Sequence, residues 1–239
     1  MTHWRRARLT AVTYDAGVEH ERIGMAGGRL LWGADLRRFY RGIEELRTLA
    51  DGGRVLDVPC GGGVAFRGLP GEGSHRYVAL DLSPVMVGRA RANAARHGLR
   101  DIVLLRGDVT ALPHPAGSFD LCLSYFGLHC FPDPPAALAE MARVLRPGGR
   151  LRGTSVVRGG GRRQDAIISL LRRAGPFATV GTAGELSSWL CAAGFDDVGV
   201  ERDGAVAFFS ARRAPGGPGP AQPAAQAGTD SSSAPSKGG

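Results

Sequence analysis

Arg54-Val55-Leu56-Asp57-Val58-Pro59-Cys60-Gly61-Gly62-Gly63 decides how the rest of this chain is read. A short apolar run ends at a carboxylate, passes into three glycines and meets Val64-Ala65-Phe66, where a helix pattern begins. This order describes a buried strand that turns into a helix through a loop no side chain obstructs. Glycines there let a ligand lie against bare backbone, and the N–H groups that open a helix favour a carboxylate or phosphate. A small-molecule site is therefore expected at the carboxyl end of this strand.

Downstream, strand and helix patterns alternate. Tyr77–Leu80 reads as a second strand closing on Asp81, and Ser83-Pro84 opens a helix that Gly98 ends. Serine suits the N-cap, proline the first helical position and glycine the position just past the end. Ile102–Leu105 is a third strand closing on Asp108, and Phe119–Leu123 a fourth. Asp133-Pro134 starts a helix with Leu138, Met141, Ala142 and Leu145 on one face, and Pro147-Gly148-Gly149 reads as a turn into a fifth strand, Arg150–Val157. Helices follow over Gln164–Arg173 and Ala183–Ala193. Two last strands, Asp197–Arg202 and Ala205–Ala211, meet at Asp203-Gly204, a hairpin signal. The pattern predicts an α/β fold: a Rossmann-like, doubly wound seven-stranded sheet, mostly parallel with an antiparallel last strand, and helices on both faces.

Three segments are expected. Residues 1–50 form an N-terminal helical segment that packs on the sheet or lids the pocket, with Phe39, Ile43, Leu46 and Leu49 at helical spacing. Residues 51–213 form the main domain. Residues 214–239 contain no Leu, Ile, Val, Met or aromatic residue and read as a disordered tail, because such a stretch buries too little apolar surface to offset ordering. The net charge is +8, but the basic residues are arginines scattered along the chain, with Lys237 the single lysine, and this argues for solvated surface over a nucleic-acid partner. Cys60, Cys122, Cys130 and Cys191 have no metal-ligand spacing, so no metal is expected and the thiols are those of a reducing cytoplasm. No apolar run approaches the roughly 18 residues of a membrane helix. The oligomeric state is not legible.

In doubly wound sheets the ligand sits beyond the carboxyl ends of the strands, where strand order reverses. Four such ends carry suitable residues here. The first supplies Asp57, Pro59, Gly61 and Gly63. The second supplies Asp81, 20 residues after Gly61, a carboxylate able to accept both hydrogens of a ribose diol. The third supplies Asp108-Val109, for an exocyclic amino group and a purine face, and the fourth Ser124-Tyr125. Each alone also reads as a turn residue or helix cap. Their order together points to a nucleoside-containing cofactor.

With these residues in place, the chain resembles the class I S-adenosylmethionine-dependent methyltransferases, in the small-molecule branch that includes ubiquinone- and menaquinone-biosynthesis enzymes. The matching residues are Val55 to Gly63, Ala79-Leu80-Asp81-Leu82-Ser83-Pro84-Val85-Met86, Arg106-Gly107-Asp108-Val109, Phe119-Asp120 and Leu145-Arg146-Pro147-Gly148-Gly149. The resemblance spans roughly residues 50 to 212. It implies S-adenosyl-L-methionine as cofactor, with Gly61 and Gly63 at the methionine part, Asp81 on the ribose, Leu82 and Met86 packed on adenine, and Asp108-Val109 at the adenine edge. Pro59-Cys60 departs from the commoner family pattern by replacing its first glycine, which removes one N–H donor and stiffens the loop entry.

The same residues argue against a nicotinamide enzyme, since Phe66 occupies the third glycine of G-x-G-x-x-G. The expected reaction is methyl transfer to oxygen or carbon of a small-molecule acceptor. A catalytically inactive cofactor-binding partner, an RNA methyltransferase and an NAD(P)-dependent oxidoreductase stay open as alternatives. His129, just past the fourth strand, is the best-placed base, although its apolar neighbours also suit a structural role; Tyr14 and Tyr125 join it as pocket candidates, with His114 a weaker one.

Overall fold

In the computed structural model the described residues are 21–48, 52–69 and 76–216. The expected Tyr14 and most of the tail lie outside them. Seven strands form one sheet: β1 (Arg54–Asp57), β2 (Arg76–Asp81), β3 (Ile102–Arg106), β4 (Phe119–Tyr125), β5 (Leu145–Val156), β6 (Phe195–Asp203) and β7 (Val206–Arg213), in the spatial order β3-β2-β1-β4-β5-β7-β6. All neighbours pair in parallel except those of β7, which runs antiparallel to both β5 and β6. Strand order reverses between β1 and β4, where Leu56 sits beside Cys122 and Asp57 beside Leu123.

Side chains alternate across the sheet as strand geometry requires. Val55, Leu121, Leu123, Val206 and Phe208 pack into one core with helices α2 (Arg37–Glu44), α3 (Pro84–Arg96) and α5 (Arg162–Ala174). Leu56, Cys122, Ala207 and Phe209 pack into the other with α4 (Pro134–Val144) and α6 (Ala183–Ala192). The helix starts follow the capping chemistry. Ser83 Oγ accepts from Met86 N, Asp133 Oδ1 accepts from Ala136 N, and Thr182 with Glu185 completes a capping box at α6.

The N-terminal segment, with α1 (Glu21–Gly27) and α2, docks on the far hairpin. Ala205 N donates to Trp32 O at 2.8 Å, and Asp35 N to Asp203 Oδ2 at 2.7 Å. Arg38 pairs with Glu201 and lies over the Phe208 ring at 5.3 Å. Phe39, Tyr40 and Ile43 of α2 are buried against the sheet.

The structure corrects several local expectations. Pro147-Gly148-Gly149 is a loop-out inside β5 and not a turn before it: Leu145 already pairs with Phe119, and the ladder resumes at Leu121 with Arg150. Gly148, at φ +72°, takes the left-handed conformation that the loop-out needs. The helix after the glycine loop is a single 3₁₀ stretch, Val64–Gly68. The last hairpin turns at Gly204-Ala205, one residue later than expected, because Asp203 still pairs with Val206.

At Gly153, β4 and β7 crowd β5 closely. A Cβ there would fall on the Ser124 carbonyl and the Phe209 ring. Gly153→Ala is therefore expected to lower unfolding stability by about 1–3 kcal/mol through overpacking. Chemical denaturation read by tryptophan fluorescence checks this, and an unchanged midpoint would contradict the close approach.

Candidate cofactor site

The carboxyl ends of β1, β2, β3 and β4 open onto one cavity of about 610 Å³. The β1 loop contributes Val58, Pro59, Cys60 and Gly61, the β2 end contributes Asp81, Leu82 and Ser83, and α3 contributes Met86. The β3 end adds Gly107, Asp108 and Val109, and the β4 end adds Tyr125 and Phe126. Its size and its largely apolar lining, with a few placed carboxylates, match what small-molecule sites require.

Backbone chemistry holds the glycine loop in shape. Gly61 and Gly63 sit at φ +53° and +87°, where a side chain would be strained, and a Cβ on Gly63 would collide with the Phe66 ring. Cys60 N donates to Leu80 O at 3.0 Å, which ties the loop to the end of β2. Asp81 closes the clasp: its Oδ2 accepts from Gly61 N at 3.0 Å and its Oδ1 from Ser83 N at 2.8 Å. Asp81 also lines the cavity, where a carboxylate can accept from ligand hydroxyls. Asp108 is similarly fixed, with Oδ1 accepting from Thr110 N at 2.9 Å and Thr110 Oγ1 at 2.8 Å, which leaves Oδ2 for an amino group.

The chain thus brings Pro59, Gly61, Asp81, Leu82, Met86, Asp108, Val109 and Tyr125 together around one space. Asp57, Gly63, Ser124 and His129 stand outside its lining. Asp57 is buried beneath the loop and accepts the Tyr77 hydroxyl at 2.9 Å. Ser124 is fully buried, with an Oγ that has no hydrogen-bond partner among the described residues. Tyr125 presents its ring to the cavity and to Phe39, at 5.2 Å between centroids, while its hydroxyl faces Gly42 on α2. His129 is enclosed: its Nδ1 accepts from Val156 N at 3.2 Å, and its ring meets Phe177 at 4.4 Å. None of the described residues 21–48 lines the cavity.

Two residues that motif reading missed shape the site. Asn93 of α3 is buried and its Nδ2 donates to the carbonyls of both Gly62 and Gly63, each at 3.0 Å. A polar residue on the apolar face of that helix was the available signal. Gly127 lets the connection after β4 touch the loop, since a Cβ there would strike the Pro59 ring. Phe126, beside it, is held at φ +52° by hydrogen bonds from its N–H to Thr154 O at 2.8 Å and Thr154 Oγ1 at 3.1 Å. Such conformations persist where surrounding contacts over-determine them, often at functional sites.

Removing the Asn93 amide leaves two buried carbonyls without their donor. Asn93→Ala is expected to lower stability by about 1–3 kcal/mol and to weaken any ligand held by the loop. Denaturation and ligand titration of the same variant check both.

Burial also sets two opposing titrations. Desolvation pushes Asp57 from 3.8 up to about 7, against the Tyr77 hydrogen bond and with the help of Asp81. The native state then holds that proton more tightly than the unfolded chain. Its stabilising contribution is full below about pH 4 and is lost as pH rises to 7. Desolvation pushes His129 from 6.5 down to about 3, so its contribution is present above pH 6.5 and is lost as pH falls toward 3. Asp57→Asn should therefore leave stability rising with pH between 4 and 6.5, and His129→Gln should leave it falling, each by up to about 1.4 kcal/mol per pH unit. Denaturation midpoints across that window read the two slopes, and equal slopes in both variants would contradict the assignment.

Comparison with known proteins agrees with this geometry. Residues 56–152 match the methyltransferase domain family. A demethylmenaquinone methyltransferase from Thermus thermophilus is 38% identical over 123 residues, 51% of this chain and 55% of that protein. Aklanonic acid methyltransferase DauC from Streptomyces sp. (strain C5) is 37% identical over 119 residues, 49% of this chain and 54% of that one. The chain thus spans about half the length of these relatives. Among solved structures, the [4+2]-cyclase SpnF superposes with a TM-score of 0.64 at 22% identity, covering 90% of this chain and 98% of that chain, a likeness of fold alone. The matched residues, 56–152, run from β1 into β5 and so carry the strand ends that open onto the cavity.

Proposed function

We propose that this chain transfers the methyl group of S-adenosylmethionine to an oxygen or carbon atom of a small, partly apolar acceptor, with residues 51–213 as the working unit. The observation that carries the reading is the convergence of four strand ends on one cavity, with Asp81 and Asp108 at separate places along its wall. Bound S-adenosylmethionine supplies a methyl group activated by the positive charge on sulfur.

In this reading the carboxylate of Asp81 takes the ribose hydroxyls, and Leu82, Met86 and Val109 provide apolar surface for the purine. Asp108 Oδ2 takes the purine amino group. The backbone at Pro59 and Gly61 faces the methionine part, and Asp57, Gly63 and Ser124 support that backbone from behind. Phe126, Phe131 and Phe177 supply an apolar wall where an acceptor can exclude water. The chain's main contribution is alignment of two reactants, which is worth about 7–11 kcal/mol when the geometry is well held. His129 enters as a structural residue, since its Nδ1 is occupied by the Val156 N–H. No described helix is long and apolar enough to cross a membrane, and the four cysteines form no disulfide, which supports action in a reducing cytoplasm.

The Phe66 ring packs across Gly63 and meets Tyr77 at 5.7 Å, where a dinucleotide fold needs a glycine for close helix packing. This favours S-adenosylmethionine over a nicotinamide cofactor. Relatives named for aklanonic acid and demethylmenaquinone support a small-molecule acceptor.

Thermal unfolding with S-adenosylhomocysteine and with NADH separates the cofactors. At 100 times its dissociation constant the correct ligand adds about 2.7 kcal/mol of stability, and the other adds none. Asp81→Ala should weaken S-adenosylhomocysteine by about 1–3 kcal/mol, read by calorimetry. Labelled-methyl transfer to quinone, phenolic and polyketide acceptors tests the reaction itself. Stabilisation by NADH alone would sink the cofactor assignment. Tight S-adenosylhomocysteine binding without methyl transfer across the panel would instead mark a binding protein.

A further inference from the structure

The cavity continues past the strand ends toward the C-terminus of α5, and there its lining changes character. Phe131 and Phe177 bring aromatic surface, and Arg172 brings a guanidinium. Among the described residues that line the cavity, Arg172 is the single cationic side chain; the other charged groups there are the carboxylates Asp81, Asp108 and Asp133. It sits in the last turn of α5, which Gly175 ends in the left-handed conformation at φ +99°. The chain then folds back, so that Gly175, Phe177 and Ala178 also line the cavity.

Arg172 is held in place by that return. Its Nε donates to the Ala178 carbonyl at 3.0 Å. Among the described residues it makes no ion pair, and its two terminal nitrogens have no hydrogen-bond partner. Several other arginines here are engaged by carboxylates, as Arg143 is by Glu140 and Arg146 by Asp120. A guanidinium tethered through Nε keeps four N–H bonds in one plane, the geometry that matches the two oxygens of a carboxylate or phosphate. Placed at the rim of an aromatic-lined pocket, it would recognise a ligand that joins an apolar body to an acidic group.

We infer that Arg172 selects acceptors carrying an anionic oxygen group, a carboxylate or a phosphate, attached to an aromatic or apolar frame. The inference rests on the cofactor reading above, which leaves the Phe131–Phe177 end of the cavity for the acceptor. Asp133 shares this rim, and as N-cap of α4 its Oδ1 is engaged by Ala136 N at 3.0 Å. Asp133 disfavours an anion in contact with it, so the acidic group belongs on the Arg172 side. Arg172 is a specificity residue in this account and takes no part in bond making.

The test uses the full chain saturated with S-adenosylhomocysteine and three probes of one shape: 2-naphthoate, 2-naphthyl phosphate and 2-naphthamide. Calorimetry should show one or both anions binding at least about tenfold more tightly than the amide, and which anion wins identifies the preferred group. In Arg172→Gln this preference should vanish, with affinity for the amide and for S-adenosylhomocysteine unchanged. Equal binding of all three probes to the unaltered chain would overturn the inference, as would a preference that survives the substitution. A loss of S-adenosylhomocysteine affinity in Arg172→Gln would place the guanidinium at the cofactor and overturn it too. Failure of the unaltered chain to bind S-adenosylhomocysteine would bring down the cofactor reading, and this inference with it.

Discussion

One carboxylate holds the site together. Asp81 lies at the end of β2, yet it accepts N–H groups from the glycine loop after β1 and from the first residue before α3. The Cys60–Leu80 backbone bond and the Asn93 amide reinforce the same junction. Charge-assisted bonds to backbone N–H groups are stronger and shorter than neutral ones, so a single side chain fixes the relative position of two strand ends and a helix start. The cavity wall at Gly61, Ser83 and Met86 inherits its shape from that bridge.

Much of this was legible because the relevant signals are local. Asp57 and Asp81 each close an apolar run, and three glycines follow Asp57 after Val58-Pro59-Cys60. Ser83-Pro84 and Asp133-Pro134 are complete helix starts within two residues, and the hairpin at Gly204 carries its own turn residue. What escaped reading depends on partners distant in sequence. Asn93 bonds carbonyls 30 and 31 positions away, and nothing in its own helix announces them. The loop-out at Gly148 looks like a turn because the chemistry is that of a turn; only the pairing of Leu145 with Phe119 makes it part of β5. His129 invited a chemical role by its place after β4. Its surroundings were set by Val156 and Phe177, on elements it meets only in the folded chain.

Burial treats the two ionisable groups beneath the site in opposite ways. Both Asp57 and His129 favour their uncharged forms, the acid by holding its proton and the base by refusing one. Asp57 supports the glycine loop through a strand whose neighbours are apolar, and Tyr77 supplies its hydrogen bond from below. A neutral or singly shared proton at Asp57 avoids stacking a second full negative charge against Asp81. The charge that faces the cavity is thus concentrated in residues at its surface, where a ligand can meet it.

The cavity consequently has two electrostatic ends. At the strand ends the wall carries Asp81 and Asp108, suited to hydroxyl and amino donors. At the end of α5 it carries Arg172, tethered through Nε and suited to acceptors of hydrogen bonds. The rings of Phe131 and Phe177 offer a frame that binds by area and leaves polarity to decide orientation. A ligand pair placed head to tail in such a space is ordered by the wall before any reaction begins. On the proposed reading the cofactor takes the Asp81 end, and acceptor choice falls to the residues around Arg172.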